Sequence, residues 1–227
     1  AARSMLVLQA NDGGFAHGAD DEPGALRYLR DQAHMLRALL ALYQVTGNDE
    51  YLDAALDRDL MPNLRRMAIS GYRGLARGAL PSFTNVNNAA IVTGAPPSVT
   101  GISGNYFLDP ETGQEVMMNE ASYLRCPTIL AEAARNGRRV AAVTAKNKLL
   151  EILAKDLDGV SVSAERAGEI DLSDHEIKSV PDLVGDAPPE IYSADASLFV
   201  LRTGVALLEQ GHSDFLYLST TDYIQHS

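Results

Sequence analysis

Pro127-Thr128-Ile129-Leu130-Ala131-Glu132-Ala133-Ala134-Arg135-Asn136-Gly137-Arg138-Arg139-Val140-Ala141-Ala142-Val143-Thr144 decides the architecture. The first ten residues predict a helix over 127–136, and Gly137 supplies its stop. Arg139 to Thr144 then predicts a buried strand, because its apolar run is short and comes after a helix stop. Working outward, residues 148–155 predict a second helix. A third over 193–210 carries Leu198, Leu201, Val205 and Leu208, and Gly211 ends it. Asp214-Phe215-Leu216-Tyr217-Leu218-Ser219-Thr220 predicts the next strand. A succession of helix, glycine and strand is the mark of an α/β sheet with flanking helices. Residues 157–192 are polar and hold Pro181, Pro188 and Pro189, so they read as a surface excursion. Upstream, Tyr28, Leu29, Ala33, Leu36, Leu39, Leu40 and Tyr43 recur at helical spacing, and a second helix starts near Glu50. This helical stretch lies within 20–57 and differs in character from the rest of the chain.

The chain has 227 residues, a net charge of −11 and a single cysteine, Cys126. The charge argues against a nucleic-acid backbone or an anionic membrane as partner, while leaving room for a small anion in a local basic pocket. One cysteine builds no disulfide framework. No basic segment with a long apolar run opens the chain, and no apolar stretch reaches the ~20 residues a bilayer span needs. The expectation is a cytoplasmic protein, with a homodimer left open.

Thr221-Asp222-Tyr223-Ile224-Gln225-His226-Ser227 places a carboxylate and an imidazole four residues apart, just past the last strand. Both are metal donors, and the carboxyl end of a strand is the ligand side of such a sheet. Far upstream, Pro81-Ser82-Phe83-Thr84-Asn85-Val86-Asn87-Asn88 puts a hydroxyl at a strand-to-helix turn. Thr84 reads either as a plain N-cap or as a nucleophile activated by a metal. Asn87, Asn88 and Asn105 stand in apolar or glycine-rich surroundings, and Asn105 comes after the turn Gly101-Ile102-Ser103-Gly104. Lys146 and Lys148 flank Asn147 just past the 139–144 strand, either as a solvated helix start or as a cradle for a carboxylate or phosphonate. His175 and His212 read as solvated and turn residues. His17 and His34 fall in the unlike N-terminal part.

PSFTNVNN (81–88), GISGNYF (101–107), TAKNKL (144–149) and DFLYLSTTDYIQH (214–226), with the segments around them, resemble the alkaline phosphatase superfamily and, within it, the phosphonoacetate hydrolases. The resemblance covers about residues 51–227. It implies an alkaline-phosphatase-like sheet with flanking helices and a hydrolase with two zinc ions. Such an enzyme splits the carbon–phosphorus bond of phosphonoacetate into acetate and phosphate. Thr84 matches the family's metal-bound nucleophile, which passes through a phosphothreonine. Asp222 and His226 match two ligands of one zinc, Asn105 a contact to the phosphonate oxygens, and Lys146 and Lys148 the pair that holds the substrate carboxylate. A phosphodiesterase or phosphatase of the same superfamily is the alternative.

Two departures qualify the match. The family's first strand ends in a metal-binding Asp, and Thr46 stands in its place here. Met5–Ala10 with Asp12 after it is a rival for that strand and ligand. Residues 1–50 instead resemble part of an all-α toroid, similar to helical barrels joined to thioredoxin-like domains. That resemblance makes them a helical segment of different origin and, in a second alternative, the working part of a non-catalytic helical-barrel fragment. The family's further Asp-His pair and late His would fall beyond His226. The second zinc site is then incomplete, and the chain is expected to turn over little or no substrate.

Overall fold

The structure is a computed structural model, and it describes residues 61–74, 76–191 and 193–221. The expected helices over 20–57, the rival strand at Met5–Ala10, and Asp222 and His226 lie outside the described residues. Two compact units comprise residues 1–76 and 77–227. In the first, helix α1 runs Pro62–Ser70, with proline at the start, where its missing N–H costs nothing.

The second unit is built on three strands: β3 (Val140–Thr144), β4 (Val160–Ser163) and β5 (Phe215–Ser219). They are parallel and lie in the order β4-β3-β5. The register pairs Thr144 with Ser163 on one side and with Ser219 on the other, so all three strands end at one edge. Helix α4 (Ile129–Arg135) precedes β3, α5 (Asn147–Leu153) joins β3 to β4, and α6 (Val180–Val184) and α7 (Ala194–Glu209) lead to β5. Helix α2 (Thr84–Thr93), the single turn α3 (Pro97–Thr100) and an antiparallel hairpin of β1 (Tyr106–Leu108) and β2 (Glu115–Met117) complete the unit.

Every residue of β3 is buried. Ala141 and Val143 face one core, with Val160, Val162 and the α7 residues Ala196, Phe199, Val200 and Leu207. Val140 and Ala142 face the other, with Leu130 of α4, Leu149 and Leu153 of α5, and Val92 of α2. A strand covered on both faces has no polar side to show, which is why β3 reads as one continuous apolar run. A third cluster, Val86, Ala89, Ile102, Met118, Leu124 and Ile152, seats α2 against α5 and the segments on either side of the hairpin. The expected α/β class is the observed one.

The sequence-read boundaries shift by small amounts for visible reasons. The helix expected over 127–136 starts at Ile129, because the Thr128 side chain accepts a hydrogen bond from Ala131 N and so caps it. The 193–210 helix likewise starts after Ser193, whose hydroxyl accepts from Ala196 N. Residues 157–192 do not all form a surface excursion: Val160–Ser163 is a sheet strand, and Val160, Val162, Leu172, Ile177 and Val180 are buried. No helix among the described residues is long and apolar enough to cross a membrane.

Candidate active site

The strand order reverses at β3. Its connection to β4 runs through α5 on one face, and the chain returns to β5 through α7 on the other. Such a reversal opens a crevice at the carboxyl ends of the strands, where ligands of α/β sheets bind. Lys146 and Lys148 come just after β3 at this edge, Glu165 just after β4, and residue 222 comes three positions after the end of β5. Ala145 N donates to Ser219 O at 2.9 Å and Glu165 N to Ala145 O at 3.2 Å, which ties the three strand ends together.

Asn119, Lys146, Asn147, Lys148, Glu151, Glu165 and Ile191 line a cavity of about 370 Å³. Two ammonium and two carboxylate groups therefore share one wall. Glu165 accepts a hydrogen bond from Asn147 N at 2.8 Å, so its carboxylate is held at the start of α5, between the two lysines in sequence. The Thr144 hydroxyl donates to Lys146 O at 2.9 Å, which fixes the backbone that carries the first lysine.

Thr84 is the first residue of α2, is exposed, and is not an N-cap. Phe83 occupies the cap position and makes no side-chain capping bond. The capping reading of Thr84 is thereby corrected: its hydroxyl makes no hydrogen bond among the described residues. Asn105 does part of the capping instead, because its Oδ1 accepts from Asn85 N at 3.3 Å. The neighbouring asparagines brace this turn. Asn87 Oδ1 accepts from Ala79 N at 2.8 Å while its Nδ2 donates to Ser82 Oγ and Phe83 O. Asn88 Nδ2 donates to Thr84 O at 2.9 Å, and Asn88 Oδ1 accepts from Tyr217 OH on β5 at 2.7 Å. Burial pushes the Tyr217 phenol above its ordinary pKa, so it stays a donor.

Thr84 and Asn105, expected to act together, meet through Asn85. The link to the lysines runs through a residue that sequence reasoning missed. Asn85 Nδ2 donates to Met118 O at 2.8 Å and to Asn119 Oδ1 at 3.2 Å, and Asn119 lies on the wall of the lysine cavity. The signal available was Asn85 itself, an amide wedged between Thr84 and the buried Val86.

Of the three expected metal donors, only Thr84 is described. Among the described residues no group of three or more His, Cys, Asp and Glu side chains converges on a metal-sized site.

Comparison with known proteins agrees with this layout. The model of the type I phosphodiesterase / nucleotide pyrophosphatase family matches residues 48–227. A crystal structure of phosphonoacetate hydrolase from Sinorhizobium meliloti 1021 in complex with phosphonoformate superposes with a TM-score of 0.72 at 47% identity, over 78% of this chain and 44% of that one. The complex with phosphonoacetate gives 0.72 at 46% identity, over 79% and 45%. The chain spans less than half the length of these structures. With the family match over 48–227 and the similarity to these structures, the chain belongs to the type I phosphodiesterase / nucleotide pyrophosphatase family, of the metallohydrolase type.

Proposed function

We propose that this chain carries the nucleophile and the substrate-holding residues of a phosphonoacetate hydrolase. The observation that carries the reading is the hydrogen-bonded path from the start of α2 through Asn85 to Asn105 on one side and to the lysine cavity on the other. A phosphonate at Thr84 and a carboxylate at Lys146 and Lys148 would occupy the two ends of that path. Similarity to the complexes with phosphonoacetate and phosphonoformate supports the same choice.

In this reading the Thr84 hydroxyl gives up its proton to solvent and its oxygen attacks phosphorus, forming a P–O bond as the C–P bond breaks. The bonding pair passes to the methylene carbon and spreads into the carboxylate as an enediolate. Lys146 and Lys148 neutralise that charge, and a proton from solvent completes acetate. Water then cleaves the phosphothreonine to phosphate and restores Thr84. Zinc, when bound with Asp222 and His226, would supply positive charge beside the hydroxyl. Asn105 Nδ2 would donate to a phosphonate oxygen.

The same reading assigns residues 1–50 to a helical segment of separate origin and 51–227 to the hydrolase domain, a division that the family match beginning at residue 48 supports. A net charge of −11 keeps the partner a small anion drawn to a local basic pocket, and a cytoplasmic location completes the reading.

Calorimetric titration of phosphonoacetate into the chain with zinc present tests it. Lys146→Ala and Lys148→Ala are each expected to weaken binding by ~10-fold, the loss of one charge-assisted bond. Unchanged affinity in the double variant would overturn the reading. Preference for a phosphodiester over phosphonoacetate would instead favour the phosphodiesterase alternative.

A further inference from the structure

We propose, building on the functional reading above, that Asn119 is a further substrate-contacting residue at the carboxylate end of the site. Asn85 is then the positioning residue that presents the NH2 groups of both Asn105 and Asn119. The substrate class is a small dianion with acceptor oxygens at both ends.

Each of these amides is already engaged at one end. Asn85 is 1% exposed, and both hydrogens of its Nδ2 are used, on Met118 O at 2.8 Å and Asn119 Oδ1 at 3.2 Å. Two oxygens face that group, so a flipped Asn85 would set its own carbonyl oxygen against them. The orientation is therefore fixed. It fixes Asn119 in turn: with Oδ1 accepting, Nδ2 is left over. That nitrogen reaches only Met117 Sδ at 3.8 Å, a weak acceptor. On the other side, the main-chain N–H of Asn85 occupies Asn105 Oδ1 at 3.3 Å. Asn105 Nδ2 has no partner among the described residues. Met118 N also donates to Asn105 O at 2.8 Å, which closes the network on itself.

The two amides thus have their oxygens tied to one residue and their NH2 groups left over. Free NH2 groups suit carboxylate and phosphonate oxygens, and beside Lys146 and Lys148 they add donors to a wall that also carries Glu151 and Glu165. Asn119 lines the same cavity as Lys146 and Lys148, which places its donor at the carboxylate end. Asn85 Oδ1 is buried without a hydrogen-bond partner. An apolar side chain of the same shape would avoid that cost, so packing alone does not explain the asparagine.

The test is side-chain amide NMR on the whole chain with zinc present, titrated with phosphonoacetate and with methylphosphonate, which lacks the carboxylate. The Asn105 NH2 signals are expected to move with both ligands, and those of Asn119 with phosphonoacetate alone. Asn119→Asp keeps an acceptor for Asn85 but removes the donor. It is expected to weaken phosphonoacetate by ~10-fold or more and to leave methylphosphonate affinity within about twofold. Asn85→Ala is expected to weaken both. Asn119 signals that stay still at saturation, with Lys146→Ala still weakening phosphonoacetate, would sink this inference and leave the functional reading standing. A wild-type chain that binds neither anion would sink both. The titration of the wild-type chain decides even if a variant fails to fold.

Discussion

Replacing Tyr217 by Phe removes one oxygen and should be felt at the start of α2. The phenol donates to Asn88 Oδ1 at 2.7 Å, and Asn88 Nδ2 in turn donates to the carbonyl of Thr84. Losing a neutral hydrogen bond costs about 1 kcal/mol net, and a buried acceptor left bare costs up to about 3 kcal/mol. Asn88 is only half-buried, so water can reach it and the lower part of that range applies. A loss of about 1–1.5 kcal/mol corresponds to a fall in Tm of about 2–6 °C for a domain of this size. Differential scanning calorimetry reads it directly. The pH dependence gives an independent check. Burial raises the folded-state pKa of Tyr217 above the ordinary 10.0. Its contribution is complete below that value and is lost as pH rises past it, because the unfolded phenol ionises first. A phenolate also cannot donate to Asn88. The wild-type chain should therefore lose stability above pH 10 more steeply than Tyr217→Phe. Asn88→Ala should remove most of the effect of the second substitution, since the two residues share one bond. Equal Tm values, equal alkaline slopes and full additivity would together refute the coupling.

Packing and charge set two further expectations. At Gly159 an added Cβ would sit 2.4 Å from Val140 O, a backbone atom of the fully buried β3, so Gly159→Ala should cost about 2–3 kcal/mol, read by urea unfolding. Glu165→Gln keeps an acceptor for Asn147 N and removes a negative charge from the lysine cavity, so anion affinity should rise by ~3–10-fold at low salt, with the gain shrinking in 1 M salt.

The parts of the fold that were legible in the sequence are those whose signal is local. Gly137 and Gly211, both at positive φ, mark two helix ends, and Val140–Thr144 reads as a strand because its burial is two-sided. The hairpin was not legible, since strands of three residues give too short an alternation, although Asp109-Pro110-Glu111-Thr112-Gly113 carries a turn signal. Val160-Ser161-Val162-Ser163 alternates apolar and polar but sits in a polar stretch that masked it. At the site, Thr84, Asn105, Lys146 and Lys148 stood out through their motifs. Asn85 and Asn119 did not, because the bond that gives them meaning joins positions 34 residues apart. Pattern along the chain does not report an amide that matters only across it.

The alternation of β3 constrains how this segment can drift in length. Val140 to Val143 face the two cores in turn, and Thr144 leads within two positions to Lys146. Adding or deleting a single residue between Gly137 and Thr144 would exchange the two interiors and rotate the lysine loop to the wrong side of the sheet. Insertions in homologous chains should therefore accumulate at the tip of the β1–β2 hairpin, around Thr112-Gly113, and spare the run that leads from the glycine stop to the end of the central strand.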